Sequence, residues 1–390
     1  MEQAGCRTFH PVLPFFPKEV LPMITVHHKI HLPDTYPLER IGNLSELLFF
    51  DIETTGFSGD TSSLYLIGCT CCQNGSWELY QWFADSPSEE PRLLEAFFSF
   101  LKHFSFVIHF NGDGFDIPYL LKRCHHYGLP YDFSQVTSVD IYRKIKPFKF
   151  LLGLDSLKQK ALERFLGIFR TDPYSGGQLI EVYQDYLVTR EAALYDMLML
   201  HNREDLEGMP LILPILNYCD MMESGFSFTG QECRTIHDIF GTPETYLDLS
   251  YESSVSIPVP WSFSDQVFSL SCEENRLVCT VPLYQGELKH FYPDYKNYYY
   301  LPLEDTAIHK SLGEFVDPSA RKKAVASTCY TRCSGLFLPQ PQPVFEPALK
   351  ACYKDKQTFV PYTPDLLEAD SAAQTYLDGV LTRLCPKLVR

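Results

Sequence analysis

No apolar stretch in this 390-residue sequence reaches the length needed to cross a bilayer, about 20 consecutive residues, so no membrane-spanning helix is expected. The N-terminal segment lacks the basic start, apolar core and small-residue cleavage site of a secretory leader, which predicts a cytoplasmic protein. Cysteine lacks any paired pattern. The 13 residues, an odd number at irregular spacing, fit a reducing compartment rather than a disulfide framework. Cys329 and Cys333 come nearest to a metal pair, and no second pair stands at zinc-ribbon spacing. Positive charge is also scarce. With 33 Lys and Arg against 49 Asp and Glu, the formal charge is −16, which argues against a general polyanion-binding surface and confines phosphate recognition to local basic segments.

What the sequence does contain is a set of acids positioned by local structure. Leu47, Leu48, Phe49 and Phe50 read as a strand covered on both faces. Asp51 and Glu53 follow, and strand alternation puts them on one face. Two like charges at a buried strand end repel each other and lose hydration unless protonated or neutralised by bound cations. Thr54, Thr55 and Gly56 then turn the chain, placing the pair at the strand's exit, where α/β sheets build their sites. Phe104 to Phe110 reads as another strand, broken at Asn111 and Gly112 and followed by a helical pattern through Ile117, Leu120, Leu121 and Cys124 to Gly128. Pro118 has no N–H and belongs in the first turn, so Asp116 is expected at or beside the N-cap, and a capping role alone would account for it. Between Glu191 and Met209, Leu194, Met197 and Leu198 define an apolar stripe that continues to His201, Asp205 and Gly208. His201 and Asp205 are therefore expected on the buried face, where they either satisfy each other or serve a site.

Taken in order, FDIETTG, NGDGFDIPYL and HNREDLEGM resemble the three motifs of the DEDD group of 3′ to 5′ exonucleases, and most of all the YprB-like predicted exonuclease domain of bacteria. The segments LDSLKQKALERFLGI and SGGQLIEVYQDY resemble the helices preceding the last motif there, and the similarity runs over residues 41–216. The resemblance implies an α/β, ribonuclease H-like mixed sheet flanked by helices, and a metal-dependent 3′ to 5′ exonuclease that hydrolyses phosphodiester bonds in DNA or RNA. It also implies two divalent cations, Mg²⁺ or Mn²⁺, with Asp51 bridging both, Glu53 and Asp205 completing one set of ligands, and Asp116 holding the second ion directly or through water. His201 would orient or deprotonate the attacking water. One departure stands out. The group's tyrosine branch has Tyr-x3-Asp and its histidine branch His-x4-Asp, whereas here a histidine occupies the tyrosine position, and a one-residue shift on a helix turns a side chain by about 100°.

The implied partner is nucleic acid, single-stranded or frayed at its 3′ end, with no membrane. Candidate contacts are Thr54 and Asn111 beside the acids, and Lys146, Lys149 and Lys158 in a run from Arg143 to Arg170 whose only acids are Asp155 and Glu163. The same run reads equally as a solvated loop and helix face. Residues 1–40 are expected to form an extended arm, 41–216 the ribonuclease H-like domain, and 217–390 a smaller β-rich domain. In the last, Ser254–Pro260, Gln266–Cys272, Arg276–Tyr284 and Glu287–Tyr292 read as strands, with turns at Glu274–Asn275 and Gln285–Gly286 and a closing helix. Its aromatic group, Tyr284, Phe291, Tyr292, Tyr295 and Tyr298 to Tyr300, with Lys289 and Lys296, either packs the sheet or stacks on unpaired bases. Two other classes share these features: a nuclease-fold binding or scaffold protein without turnover, and a structure-specific endonuclease using the same metals.

Overall fold

The computed structural model describes residues 23–388 except 172, 173, 175 and 238, so most of the expected N-terminal arm, residues 1–22, lies outside the described residues. The chain divides into two compact units, one running up to residue 140 and resuming at 170–210, the other formed by 141–169 and the residues from 211 onward.

The first unit is built on a six-stranded mixed sheet of β1 (Ile24–Ile30), β2 (Leu47–Thr54), β3 (Leu64–Gln73), β4 (Ser76–Phe83), β5 (Phe106–His109) and β6 (Thr137–Asp140), in the order β1-β4-β3-β2-β5-β6. The first four are antiparallel neighbours, and β5 and β6 run parallel to β2. Central β2 buries Leu47 through Phe50 almost completely, as a strand covered on both faces requires. The β3–β4 hairpin turns at Asn74 and Gly75, whose φ values of 50° and 77° form the left-handed pair that matches strand twist in a two-residue turn. Part of the segment expected as an arm supplies β1, an edge strand alternately half-buried and exposed.

Helices flank this sheet. The first, α1 (Glu90–Leu101), buries Leu93, Leu94, Phe97, Phe98 and Leu101. The next, α2 (Asp116–Tyr127), stops at Gly128, whose φ of 66° gives the left-handed C-cap that favours glycine. The Arg123 guanidinium of α2 grips buried Glu90 of α1 through two bonds of 2.6 and 2.8 Å. Glu90 also accepts the backbone N–H of Leu64 in β3 at 2.9 Å. Because both charges are out of water, the pair holds only while fully bonded, and it ties the helix that begins at Asp116 to the sheet. Two further helices, α3 (Gly176–Thr189) and α4 (Ala192–Ile212), complete the unit's elements.

The second unit is β-rich. Its long strand Arg276–Phe291 pairs through its first half with Pro243–Glu252 and Ser269–Glu273, and through its second half with Tyr330–Gln340. The expected turn at Glu274–Asn275 is present, with Glu274 at φ 51°. The turn expected at Gln285–Gly286 is not. One strand runs through it, because Gly286 faces Gly335 in register and the Tyr284 ring covers the space a side chain would fill. Ser254–Pro260 is likewise no strand, since Pro258 and Pro260 remove ladder donors and only isolated bonds, such as Ile257 N–H to the Glu274 carbonyl at 2.9 Å, hold it. Several of the aromatic residues pack on one another: Tyr292 and Tyr298 stack at 4.9 Å, and with Tyr295 and Tyr300 they cover Ala307, Ala324 and Cys329. The described cysteines are free thiols. No helix among the described residues is long and apolar enough to cross a membrane.

Candidate active site

Three separate segments bring acids to one end of β2. Asp51 pairs in register with Gly68 of β3, which in turn faces Gln81 of β4. The register shifts between Glu53 and Thr54, just beyond the second acid, and Thr54 still pairs with Leu64 at the strand's end. Thr54 then donates its hydroxyl to the Gly56 carbonyl at 2.8 Å, fixing the turn. Asp116 is the first residue of α2, and Phe115 is its N-cap. The Asp116 carboxylate does more than close the helix: it accepts from its own amide and reaches back to the backbone N–H of Ile52, between the two β2 acids.

The third segment is α4. His201 Nε2 lies 3.7 Å from Glu53 Oε1 and 3.4 Å from Asp205 Oδ2. Ligand atoms of Glu53, His201 and Asp205 all fall within 4.8 Å of one another, and among the described residues this is the one such group of His, Cys, Asp or Glu able to hold an ion. His201, expected as a base beside the metal, thus stands within the donor cluster. Asp51 and Asp116 stand outside it but act on it through charge.

Burial, then the nearby Asp205 and Asp116 charges, push the Asp51 carboxyl well above the usual carboxylate range, while the Asn202 hydrogen bond and Arg170 oppose that rise. Asp116 is pushed up to about 7, by burial first, with Asp140 and Asp205 adding repulsion against its two backbone bonds. Like charges removed from water are stable as anions only if a cation neutralises them. A buried set of carboxylate oxygens with one imidazole nitrogen suits Mg²⁺ or, with the histidine, Mn²⁺. The residues present therefore fit a divalent cation.

Two functional residues escaped the stripe drawn through His201 and Asp205. Asn202, fully buried, donates Nδ2–H to Asp51 Oδ2 at 2.9 Å, while its Oδ1 accepts from Gln81 Nε2 at 2.9 Å. Leu198, Asn202, Leu206 and Met209, all without exposure, form the most buried stripe of α4, and their i, i+4 spacing from Leu198 is the signal that would have found it. The other is Arg170, whose side chain, 8% exposed, pairs with the Asp205 carboxylate. Its place at the end of the basic run gave no hint of a partner in the site. Because Asn202 orients an acid without belonging to the donor cluster, Asn202→Ala should weaken Mn²⁺ binding by about 10- to 100-fold, as is typical of outer-shell partners. Isothermal titration checks this.

Of the expected nucleic-acid contacts, Asn111 sits in the turn after β5 at φ 63°, with its backbone N–H held by Asp140 Oδ1 at 3.0 Å, and Asp113 N–H held by the same carboxylate at 3.2 Å. Lys146, Lys149 and Lys158 are carried by the second unit, the first and third exposed and Lys149 half-buried.

A family model described as the RNase_H superfamily matches residues 48–217, a span that contains all five expected catalytic residues. No curated protein matches the sequence. Among solved structures, the chain is similar to the family B DNA polymerase of the hyperthermophilic archaeon Pyrobaculum calidifontis at 17% identity and a TM-score of 0.37, covering 45% of this chain and 25% of the polymerase. It is also similar to the zinc-bound ExoI–ssDNA complex of E. coli at 15% identity and a TM-score of 0.27, covering 53% of this chain and 54% of the exonuclease chain. The same E. coli exonuclease I with a 5cy-dA13 oligonucleotide gives 14% identity and a TM-score of 0.25 over 53% of this chain and 54% of that one. Overlaps this loose transfer no chemistry; the site's own residues must carry it.

Proposed function

We propose that the protein is a metal-dependent 3′ to 5′ exonuclease of the DEDD type acting on single-stranded or frayed ends of DNA or RNA. The observation that carries this reading is the convergence of Asp51, Glu53, Asp116 and Asp205 from three segments onto one site, where burial and mutual repulsion push the Asp51 and Asp116 carboxyls above their ordinary range. Bound divalent cations supply charge neutralisation and acidify a coordinated water, as in two-metal phosphodiester hydrolysis.

The residues of the chain divide the remaining work. Glu53, Asp205 and His201 offer donor atoms from β2 and α4, and Asp51 and Asp116 add negative charge beside them. Asn202 holds one oxygen of the Asp51 carboxylate in place. Where the carboxylates alone hold the cation, His201 Nε2, which lies between two of them, is placed instead to take a proton from water; ligated through that nitrogen it is a third donor and no base. The closed turn at Thr54 and the Asp140-locked turn at Asn111 border the acids and form the edges along which a strand end would lie.

The test is incubation of a 5′-labelled single-stranded DNA and the matched RNA with the full chain in Mn²⁺, beside Asp205→Asn and His201→Tyr. A ladder shortening from the 3′ end in the parent and absent from Asp205→Asn is the expected result. Retained cleavage in His201→Tyr would mark the histidine as a substitute for the tyrosine of that branch. No shortening of either substrate by a parent that binds Mn²⁺ would favour a nucleic-acid-binding protein without turnover, and cutting of circular single strands would favour an endonuclease.

A further inference from the structure

We propose that His109 is a positioning residue of this site, which fixes Asp116 by latching the turn ahead of α2 to the ends of β5 and β6. The inference rests on the nuclease reading and adds to it the means by which the acid of the second segment is held beside those of β2. His109 is the last residue of β5 and is wholly buried, its ring edge-on to Phe50 with 5.5 Å between centroids. A buried imidazole needs partners for both ring nitrogens. Nδ1 meets the Gly112 N–H at 3.0 Å, and Nε2 meets the Ser138 hydroxyl of β6 at 2.8 Å.

An amide N–H only donates, so Nδ1 accepts and the ring carries its proton on Nε2. Ser138 Oγ receives that proton's hydrogen bond and gives its own hydrogen to Asp113 Oδ1. Gly112 permits the approach, since a Cβ there would stand 2.5 Å from Nδ1. Asp140, paired in register with His109, takes the N–H groups of Asn111 and Asp113. The turn's amides at 111, 112 and 113 are thus directed to β5 and β6, while its carbonyls are directed to the helix. The Asn111 carbonyl accepts from Gly114 and Phe115, and the Gly112 carbonyl accepts from Ile117 at 2.9 Å. The start of α2 shifts only by breaking one of these sets. Asp116 stands between Phe115 and Ile117 and shares that constraint, whereas Glu53, His201 and Asp205 are carried by β2 and α4.

The test uses the full chain and compares the parent with His109→Leu, which removes both ring nitrogens, His109→Asn, whose Oδ1 can still accept from Gly112, and Ser138→Ala, which removes the second half of the latch. Mn²⁺ is titrated into metal-stripped samples by calorimetry, and shortening of a 5′-labelled single-stranded DNA is followed for kcat and KM, both well below each variant's melting temperature. Asp116→Asn identifies the part of the Mn²⁺ isotherm to which Asp116 contributes. His109→Leu should weaken that same part by about tenfold, the scale for groups that orient a ligand, and should lower kcat with KM unchanged. Placed in the Asp116→Asn background it should weaken Mn²⁺ binding no further, because it acts through Asp116. His109→Asn should recover most of the loss, and Ser138→Ala should fall between parent and leucine variant. If the leucine variant does not fold, Ser138→Ala decides by the same comparison. A lowered melting temperature with the parent's isotherm and kcat would overturn the assignment, mark the latch as structural, and leave the nuclease reading intact. Losses that add in full to those of Asp116→Asn would overturn it as well. A parent that binds Mn²⁺ but shortens no strand would end the nuclease reading, with the isotherms still deciding for or against His109. A parent that binds no Mn²⁺ would overturn both.

Discussion

Gly68→Ala is expected to destabilise the protein by about 1–3 kcal/mol, the usual range for overpacking, and to disable the candidate site in the same step. A Cβ on Gly68 would lie 2.1 Å from Asn202 Oδ1 and 2.4 Å from Leu206 Cδ1. Either α4 must back away from the sheet or the Asn202 side chain must leave its place between Asp51 and Gln81. Both outcomes break the hydrogen bond that orients Asp51, and the first also moves His201 and Asp205 away from Glu53. Thermal melting and Mn²⁺ titration on the same sample read the two effects together. Gly177→Ala is the control, since nothing lies near its Cβ position and the residue is exposed on a helix. The clash also predicts coupling. Asn202→Ala in the Gly68→Ala background should cost less stability than in the parent, because it removes the nearer of the two obstructing groups, as neighbouring sites commonly interact. Purely additive losses would mean that the close approach of α4 at Gly68 does not control the site.

That glycine also shows where a sequence reading stops. Asp51 and Glu53 were legible because strand alternation is local and a burst of apolar residues fixes which face is buried. Gly128 was legible from the end of the α2 stripe. Gly68 was not: a glycine within an apolar run carries no sign of what approaches it, and here the partner is more than a hundred residues along the chain. The residue Asn202 stands within HNREDLEGM, but its role was missed for a related reason. The stripe was drawn through His201 and Asp205, which line the site, while the deeper stripe through Leu198, Asn202 and Leu206 faces the sheet itself. At Gln285–Gly286 the local turn signal was overruled by strand partners on either side of Arg276–Phe291, a choice made by tertiary pairing. Motif order placed the acids, and long-range packing placed the groups that orient them.

Asp51→Asn should move stability and function in opposite directions. In the metal-free protein, Asp51 and Asp116 both sit above their ordinary carboxylate values, chiefly through burial. The folded state therefore binds protons that the unfolded chain has already released, so stability is highest at low pH within this window and declines as pH rises toward and through the Asp116 value of about 7. Melting temperatures of metal-stripped parent should accordingly fall between about pH 5 and 8, a range above ordinary carboxylate values. Asparagine removes the Asp51 charge and, by presenting its carbonyl to Asn202 Nδ2–H, keeps the 2.9 Å contact. The variant should then be more stable than the parent at pH 8 by about 0.5–2 kcal/mol, the scale on which removal of functional strain is repaid in stability. Its decline with pH should also be shallower, since only Asp116 remains to titrate. Saturating Mn²⁺ should stabilise the parent at pH 8 and flatten its pH dependence, because binding to the folded state alone adds to stability. The same addition should do much less for Asp51→Asn, and 3′-end shortening should drop by at least about a hundredfold, beyond the upper end for groups that only support a ligand. An asparagine variant that is less stable than the parent at pH 8 in the absence of metal would show that Asp51 is already neutralised within the fold, and with that the case for a cation at this position would fall.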